Sequence, residues 1–366
     1  PMQLDFFPSR TLTLYLAKMF VVRILAVLAM LVLVLLMLDL LSSSGDILAN
    51  EDNGQSELWT YASLRFPLLL RQFTPYSVLL ATLITLVTLN QNSEVVAMKS
   101  AGLSAHQILA PLLFVSGMIA VGNFILNETW AVRSEAVLKA WEEADYGTIP
   151  RTSNLRVNVY FTTGADVLVA QRVYGDDASA SMHEVTFYER NPSGMIISQT
   201  QAETAVFNDP GWKLTNAVRF DVATASTVEQ TQVVVAHGIS PDQITLEDSD
   251  PDRADFFALA QMIKSYDLIG KRTSEMRVSW WRKITSPLSS MLMPLLGSVA
   301  AFGLARSGQL FVRAVIGMGL GFGYFVVENA ALAMGNFGGY PPFLAAWSPF
   351  LLFLLIGETV LVRTEE

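Results

Sequence analysis

The residues of this 366-residue chain that could do chemistry are charges set at the ends of long apolar runs. Arg65, Arg71, Arg133 and Lys139 flank the second and third runs, and Arg277, Arg282 and Lys283 flank the fourth beside Trp280 and Trp281. Such groups at headgroup depth suit an anionic lipid with phosphates, which a guanidinium fork binds through two hydrogen bonds. The plainer reading is ordinary snorkelling of basic side chains to lipid phosphates within an aromatic belt. A second group, Asp39, Glu328, Asn329 and Glu358, lies inside or at the edges of apolar runs. An unpaired charge there costs a few kcal/mol, so these residues should face a polar interior or one another. They are too scattered to form the chain of groups that a proton relay needs.

Bond-making chemistry has no comparable signature. The chain contains no G-x-x-x-x-G-K-[ST], so it cannot hold ATP by the P-loop route, and no G-x-S-x-G or H-E-x-x-H. It has no cysteine, and His106, His183 and His237 lie far apart without ligand spacing, which argues against a metal site. The chain is read as non-catalytic and without cofactors of its own, and nucleic acid is not an expected partner. Energy from nucleotide must enter through another subunit.

A local signal lies between the second and third apolar runs, in Asn90 to Leu103. Asn92 or Ser93 can cap a helix, Glu94 suits the positive N-terminal end, and Gly102 can take the left-handed conformation that stops it. Ser104 and Gln107 then have capping-box spacing for the next helix. This predicts a separate helix of about two turns bearing Val95, Val96 and Met98. One reading is a connector lying on the lipid surface. The other is a knob that docks into a groove on a soluble partner, with Glu94 pairing to a base there.

The fifth run carries Gly317, Gly319, Gly321 and Gly323. Glycines four apart on one helix face remove bulk and let a neighbouring helix approach closely, either as fixed packing or as a moving interface. They follow no strand and do not match G-x-G-x-x-G, so they are not a nucleotide loop.

These residues must be positioned by membrane helices. The runs about Thr13 to Leu41, Phe73 to Leu89 (introduced by the helix-interrupting Pro67 and Pro75), and Ile108 to Leu126 come first. A polar loop from Ser42 to Glu57 separates the first two. About Trp280 to Phe302, Val312 to Met334 and Phe343 to Leu361 come last. About 20 apolar residues rise roughly 30 Å as a helix, enough to cross a bilayer. Pro1 before Met2 reads as an added residue, and the first run is longer than a signal-peptide core and lacks an A-x-A-like site.

Between the two sets the period changes from helical to two. Arg156 to Thr163, Asp166 to Tyr174, Glu184 to Arg190, Met195 to Asn208, Trp212 to Val222 and Val228 to His237 alternate and are rich in Val, Thr, Phe and Tyr. Gly164, Gly175, Gly194 and Pro210-Gly211 punctuate them. Antiparallel hairpins in a sandwich or roll are predicted. An amphipathic helix from about Asp255 to Ile269 leads back to the membrane. The whole is 52% apolar and 16% charged with mean hydropathy +0.39, between a soluble domain and a simple membrane bundle. Sixteen acids and seven bases lie between Asp145 and Asp255, which accounts for the chain's net charge of −9. The division is therefore 1–143, three membrane helices with the short helix at about 92–102; 144–254, the β-domain; and 255–366, a connecting helix and three more membrane helices.

Arg10, Lys18 and Arg23 precede or begin the first span, and the loop after it has acids but no Lys or Arg. The positive-inside rule then puts both termini in the cytoplasm and the β-domain outside. Across the whole chain, ten bases fall outside apart from the β-domain and seven fall inside. The first helix usually dominates insertion, so the external excess calls for its own explanation.

Ser93 to Ser104, Trp281-Arg282-Lys283-Ile284 through Pro287, and Gly321-Phe322 to Glu328-Asn329 with Tyr340-Pro341-Pro342 together resemble the lipopolysaccharide export permeases of the LptF/LptG family, over nearly the whole chain. The last two motifs resemble the LptG branch more than its paralogue. The resemblance implies a six-helix membrane bundle with an inserted periplasmic jellyroll-like β-domain, in the Gram-negative inner membrane. It implies a heterodimer with an LptF-type permease on an LptB-type ATPase dimer, which binds the ATP and magnesium. LptC- and LptA-type periplasmic proteins are the implied recipients of lipopolysaccharide. In that scheme Ser93, Glu94, Val95, Met98 and Gly102 couple to the ATPase. Arg133, Lys139, Arg65, Arg71, Phe322, Tyr324 and Phe325 contact lipid, and Gly317, Gly321 and Glu328 serve the gate between the first and fifth spans. One departure is that members can carry lysine near the outer end of the first span, where this chain has Leu36, Met37 and Leu38 before Asp39.

Two functions fit the sequence. One is the permease subunit of an ATP-driven ABC transporter that extracts lipopolysaccharide from the outer leaflet of the inner membrane and passes it to a β-jellyroll bridge. The other is a membrane sensor or scaffold whose β-domain binds an envelope ligand. Against the second stands the lack of any cytoplasmic domain in this sequence to carry a signal.

Overall fold

A computed structural model describes residues 7–50, 53–143, 145–147, 156–163, 166–174, 180–191, 195–209, 211–237, 251, 254–268, 272–302 and 310–363. The turn residues Gly164, Gly175, Gly194 and Pro210, and Pro1 and Met2, lie outside that set. The chain divides into a helical unit, Pro1–Ser44 with Leu58–Ser134 and Asp255–Glu366, and a strand-built unit, Gly45–Glu57 with Glu135–Ala254.

The helices are longer than the apolar runs that seed them. Helix α1 spans Arg10–Leu48 and the next helix starts at Gln55, so both ends of the polar loop expected over Ser42 to Glu57 are helical. Hydroxyls make this tolerable: Ser44 Oγ donates to the Leu41 carbonyl at 3.1 Å, and Ser43 shares a 3.0 Å hydrogen bond with the Tyr61 hydroxyl. Helix α2, Gln55–Gln91, carries Pro67 and Pro75 inside it, where the sequence suggested an interruption. Pro75 cannot donate to the Arg71 carbonyl one turn back, and the Asn123 amide donates to that carbonyl instead, at 3.4 Å. Thr74 Oγ1 donates to Leu70 O at 2.6 Å beside it.

After the short helix α3, Glu94–Ser100, comes α4, Ala105–Leu126. It does not stop at Leu126, because a π-turn over Asn127–Ala131 passes it into α5, Val132–Glu143. Helix α6, Phe256–Leu268, starts on Asp255, whose Oδ1 accepts from Ala258 N at 2.7 Å. The last helices are α7, Ser274–Phe302, α8, Leu310–Asn336, and α9, Pro342–Arg363. Among the described residues five helices are long and apolar enough to cross a membrane: Arg10–Leu48, Gln55–Gln91, Ala105–Glu142, Ala314–Asn336 and Pro342–Arg363. The fourth expected span is α7, whose 29 residues would rise about 43 Å. Helix α7 packs against α4, α6, α8 and α9 and buries Ser289, Ser290 and Thr285 as well as Leu292, Met293 and Leu296.

The strand-built unit holds one six-stranded antiparallel sheet in sequence order. Its strands are β1 (Arg156–Thr163), β2 (Asp166–Tyr174), β3 (Ser181–Arg190), β4 (Ile196–Asn208), β5 (Gly211–Asp221) and β6 (Ser226–Val235). The predicted alternation therefore forms a run of hairpins, with each strand paired to the next. Leu168, Met182, Trp212 and Leu214 are fully buried in its core. Glu184 and Asn216 drop out of the ladders at positive φ (54° each), and the Asn216 amide donates to Glu203 at 3.1 Å.

Because Asn123 completes a backbone that Pro75 leaves open, Asn123→Ala should destabilise the helical unit by about 1 kcal/mol. The thermal midpoint in detergent should fall accordingly. Adding Pro75→Ala restores the internal hydrogen bond and should recover most of the loss.

Candidate functional site

Helix α3 is built by its ends. Ser93 begins it at φ 60° without a side-chain cap, since capping needs extended backbone at that residue; Asn92 instead donates its amide to Glu94 Oε1 at 3.3 Å. Gly102, at φ 89°, ends it as expected: its N–H reaches Lys99 O at 2.9 Å, and Leu103 N reaches Met98 O at 3.1 Å, the paired bonds of a Schellman stop. The Ser104–Gln107 capping box opens α4 with both bonds at 3.1 Å. Val95 and Met98 do not form an outward knob. They are 4% and 8% exposed and join the core of the membrane helices, so they anchor α3 to the bundle. The outward face is Val96 (62% exposed), Ala97, Lys99 and Ser100. Glu94 accepts from the hydroxyl of Tyr15 on α1, a contact that no spacing in the sequence announced.

Helix α8 has two faces, as 100° per residue requires. Gly317, Gly321, Tyr324 and Glu328 form its buried stripe. A Cβ at Gly321 would overlap the side chain of Leu79 on α2, so the absence of a side chain at that glycine lets Leu79 pack directly on α8. A Cβ at Gly319 or Gly323 would meet nothing within 4 Å. The other face of α8 lines an open, largely apolar groove of about 410 Å³ with Leu31 of α1 and Phe73 and Tyr76 of α2. Phe322, Phe325, Val326 and Asn329 are its contribution, and Tyr76 stacks on Phe325 at 4.1 Å between ring centroids. Tyr324, expected among the lipid contacts, sits about 200° from Phe322 around the helix. It is fully buried, against Phe353 of α9 at 5.6 Å.

Most of the basic set is engaged by acids or polar groups of the same chain. Arg65 pairs with Asp39, which also accepts from the Tyr61 hydroxyl at 3.1 Å. Arg71 donates to Asn127 Oδ1 at 3.1 Å, Lys139 pairs with Glu135 at 3.8 Å, and Arg277 pairs with Asp267 at 2.6 Å. Lys283 is buried with Glu128 at 3.4 Å, their side chains 8% and 14% exposed. Glu128 lies in the π-turn and also accepts from Phe256 N at the start of α6. Arg133 and Arg282 are exposed. Of the acids read inside the spans, Asp39 has Arg65, Glu358 has His106 Nε2 at 3.2 Å, and buried Glu328 feels the charge of Arg282. Sequence reasoning missed Asn123, Asn127 and Glu128, although polar residues closing an apolar run carry the same cue that drew attention to Glu328 and Asn329.

Two substitutions test this packing. Lys283→Met leaves the Glu128 carboxylate buried and unpaired and should destabilise by about 3 kcal/mol; adding Glu128→Gln should return part of that. Gly321→Ala forces α8 away from Leu79 and should cost about 1–3 kcal/mol, and the cost should shrink in a Leu79→Ala background. Thermal unfolding in detergent reads both.

Comparison with known proteins follows the same outline. The chain is 26% identical over 310 residues to the lipopolysaccharide export system permease protein LptG of Escherichia coli K12, covering 83% of this chain and 84% of that protein. It is 24% identical over 324 residues to the LptG protein of Haemophilus influenzae, covering 86% and 88%. The family described as lipopolysaccharide export system permease LptF/LptG matches residues 14–363, and with that match across almost its whole length this chain belongs to the LptF/LptG family.

Proposed function

We propose that the chain is the LptG-type permease subunit of an ATP-driven ABC transporter. It takes lipopolysaccharide from the outer leaflet of the inner membrane and passes it to a periplasmic bridge of β-jellyroll proteins. Its termini lie in the cytoplasm and its β-domain in the periplasm. An LptF-type paralogue completes the bundle. An LptB-type ATPase dimer docks at α3 and supplies hydrolysis, with its own ATP and magnesium, and LptC- and LptA-type proteins receive the lipid. Family membership and the relatives' names support the cargo.

The observation that carries the mechanism is the joining of a small, sharply ended helix to the core behind an apolar groove. Val95 and Met98 share a core with Leu79, Leu292 and Tyr324, so a push on α3 reaches the helices that line the groove. Tight contact at Gly321 makes α2 and α8 move as packed surfaces with discrete arrangements, the kind of element that differential contacts can bias. Acyl chains fit the face of Phe322 and Phe325, and phosphates fit the exposed Arg133 and Arg282. The side chains of Arg65, Arg71 and Lys139 are already held, so they shape the site through their partners.

Two measurements test the reading. Val96→Asp introduces a charge on the outward face of α3 while leaving Val95 and Met98 in place. It should lower retention of a co-purifying ATPase by about tenfold, the effect of losing one well-buried interface contact, and lipid export with it. Photocrosslinkers should capture lipopolysaccharide from Phe322 and Arg133 but not from Tyr324. A chain that purifies without an ATPase and captures no lipid would instead behave as a sensor or scaffold.

A further inference from the structure

Helix α1 is fastened at two places and bare between them. Near its start Leu16, Phe20 and Ile24 enter the same core as Val95 and Met98 of α3. Near its far end Asp39 is fastened to Arg65 and Tyr61 of α2. Of residues 25–38, Val32 alone is buried, and the groove edge formed by Leu31 lies in this stretch. A helix so little packed takes its tilt from its fastenings.

The fastening to α3 has a polar part as well. The Tyr15 hydroxyl donates to Glu94 Oε2 at 3.1 Å and faces Oε1 at 3.4 Å. The Asn92 amide shares Oε1 at 3.3 Å. Arg23, two turns along α1, acts electrostatically on both Tyr15 and Glu94, and its buried Nη1 has no hydrogen-bond partner among the described residues. A carboxylate offers about four acceptor positions, so Glu94 can hold Tyr15 and still meet a cation from outside. One carboxylate at the start of α3 thus holds α1 and keeps acceptor positions open.

We propose that Tyr15 is a positioning residue which ties α1 to α3 through Glu94, so that displacement of α3 is delivered to α1 and swings its bare segment at the groove. The inference rests on the transporter reading for the source of that displacement; the tie itself does not. Leu31 lies 16 residues beyond Tyr15, about 24 Å along the helix and short of the Asp39 fastening, so a change of tilt at the base is carried into the groove edge. Phenol-to-carboxylate hydrogen bonds are directional, which lets the tie transmit rotation where the Leu16, Phe20 and Ile24 contacts alone would slip.

The chain has no cysteine, so labels can be placed cleanly on the full-length protein. Spin labels on Thr11→Cys and Ala97→Cys, both exposed positions, report the spacing of α1 and α3. Tyr15→Phe should broaden that distance distribution, and Glu94→Leu should do the same. Glu94→Gln keeps an acceptor for the hydroxyl and should stay narrow. In vesicles holding the complete complex, Tyr15→Phe should keep the ATPase bound and hydrolysing but release about fivefold less lipopolysaccharide per ATP, the effect of one lost hydrogen bond. A distance distribution for Tyr15→Phe that superimposes on the unsubstituted one overturns the tie. Equal lipid release per ATP overturns its role in transmission while leaving the transporter reading intact. If the unsubstituted chain retains no ATPase, the transporter reading falls, and the label distances still judge the tie.

Discussion

Everything in the helical unit depends on one constraint: in hydrocarbon there is no water to satisfy a backbone carbonyl, so each one must find a partner within the protein. The Asn123 amide on the Arg71 carbonyl shows the constraint at work, because it permits Pro75 to sit inside a 37-residue helix. Thr74, Thr82 and Thr88 return their hydroxyls to carbonyls one turn back on the same helix. Alpha helix is thus retained even where proline and hydroxyl residues would break it in water. That continuity lets α2 run from the Tyr61–Asp39 contact at one end to the connection with α3 at the other.

Charge obeys the same economy of partners. Four of the ten basic residues that contradicted the simple topology count are matched inside the fold, by Asp39, Glu128, Glu135 and Asp267. A buried pair such as Lys283 with Glu128 is weak evidence for stability and better understood as a device for register. It joins α7 to the π-turn, and Glu128 also holds the start of α6, which is the segment returning from the β-domain. Arg133 and Arg282, by contrast, are exposed, and Arg282 acts electrostatically on buried Glu328.

Much of this was legible in the sequence. Helical spans, the switch to a two-residue period, the left-handed stop at Gly102 and the Ser104–Gln107 box all follow from local rules, and local rules are what a sequence states directly. Helix ends were misjudged where tertiary contacts override local preference, as at Ser43 against Tyr61 and at Pro75 against Asn123. The orientation of Val95 and Met98 was misread because a seven-residue helix with apolar residues at i and i+3 can turn that face to its own bundle or to a partner. Tyr324 was misplaced for the same reason, since only packing tells which of two faces of an apolar helix meets the groove. Pairs such as Tyr15 with Glu94 are 79 residues apart, and no pattern within one sequence connects them.

The π-turn at Asn127–Ala131 has a consequence for how the chain can vary. A helix that accommodates one surplus residue in a single widened turn has an angular offset built into it, about 100° relative to an uninterrupted helix. The start of α5 at Val132 is phased by that offset. Loss of one residue here would keep the composition and hydropathy of the segment almost unchanged and yet rotate the start of α5 about its own axis relative to α4. Length at this point is therefore under tighter restraint than residue identity, the reverse of what holds for a surface loop.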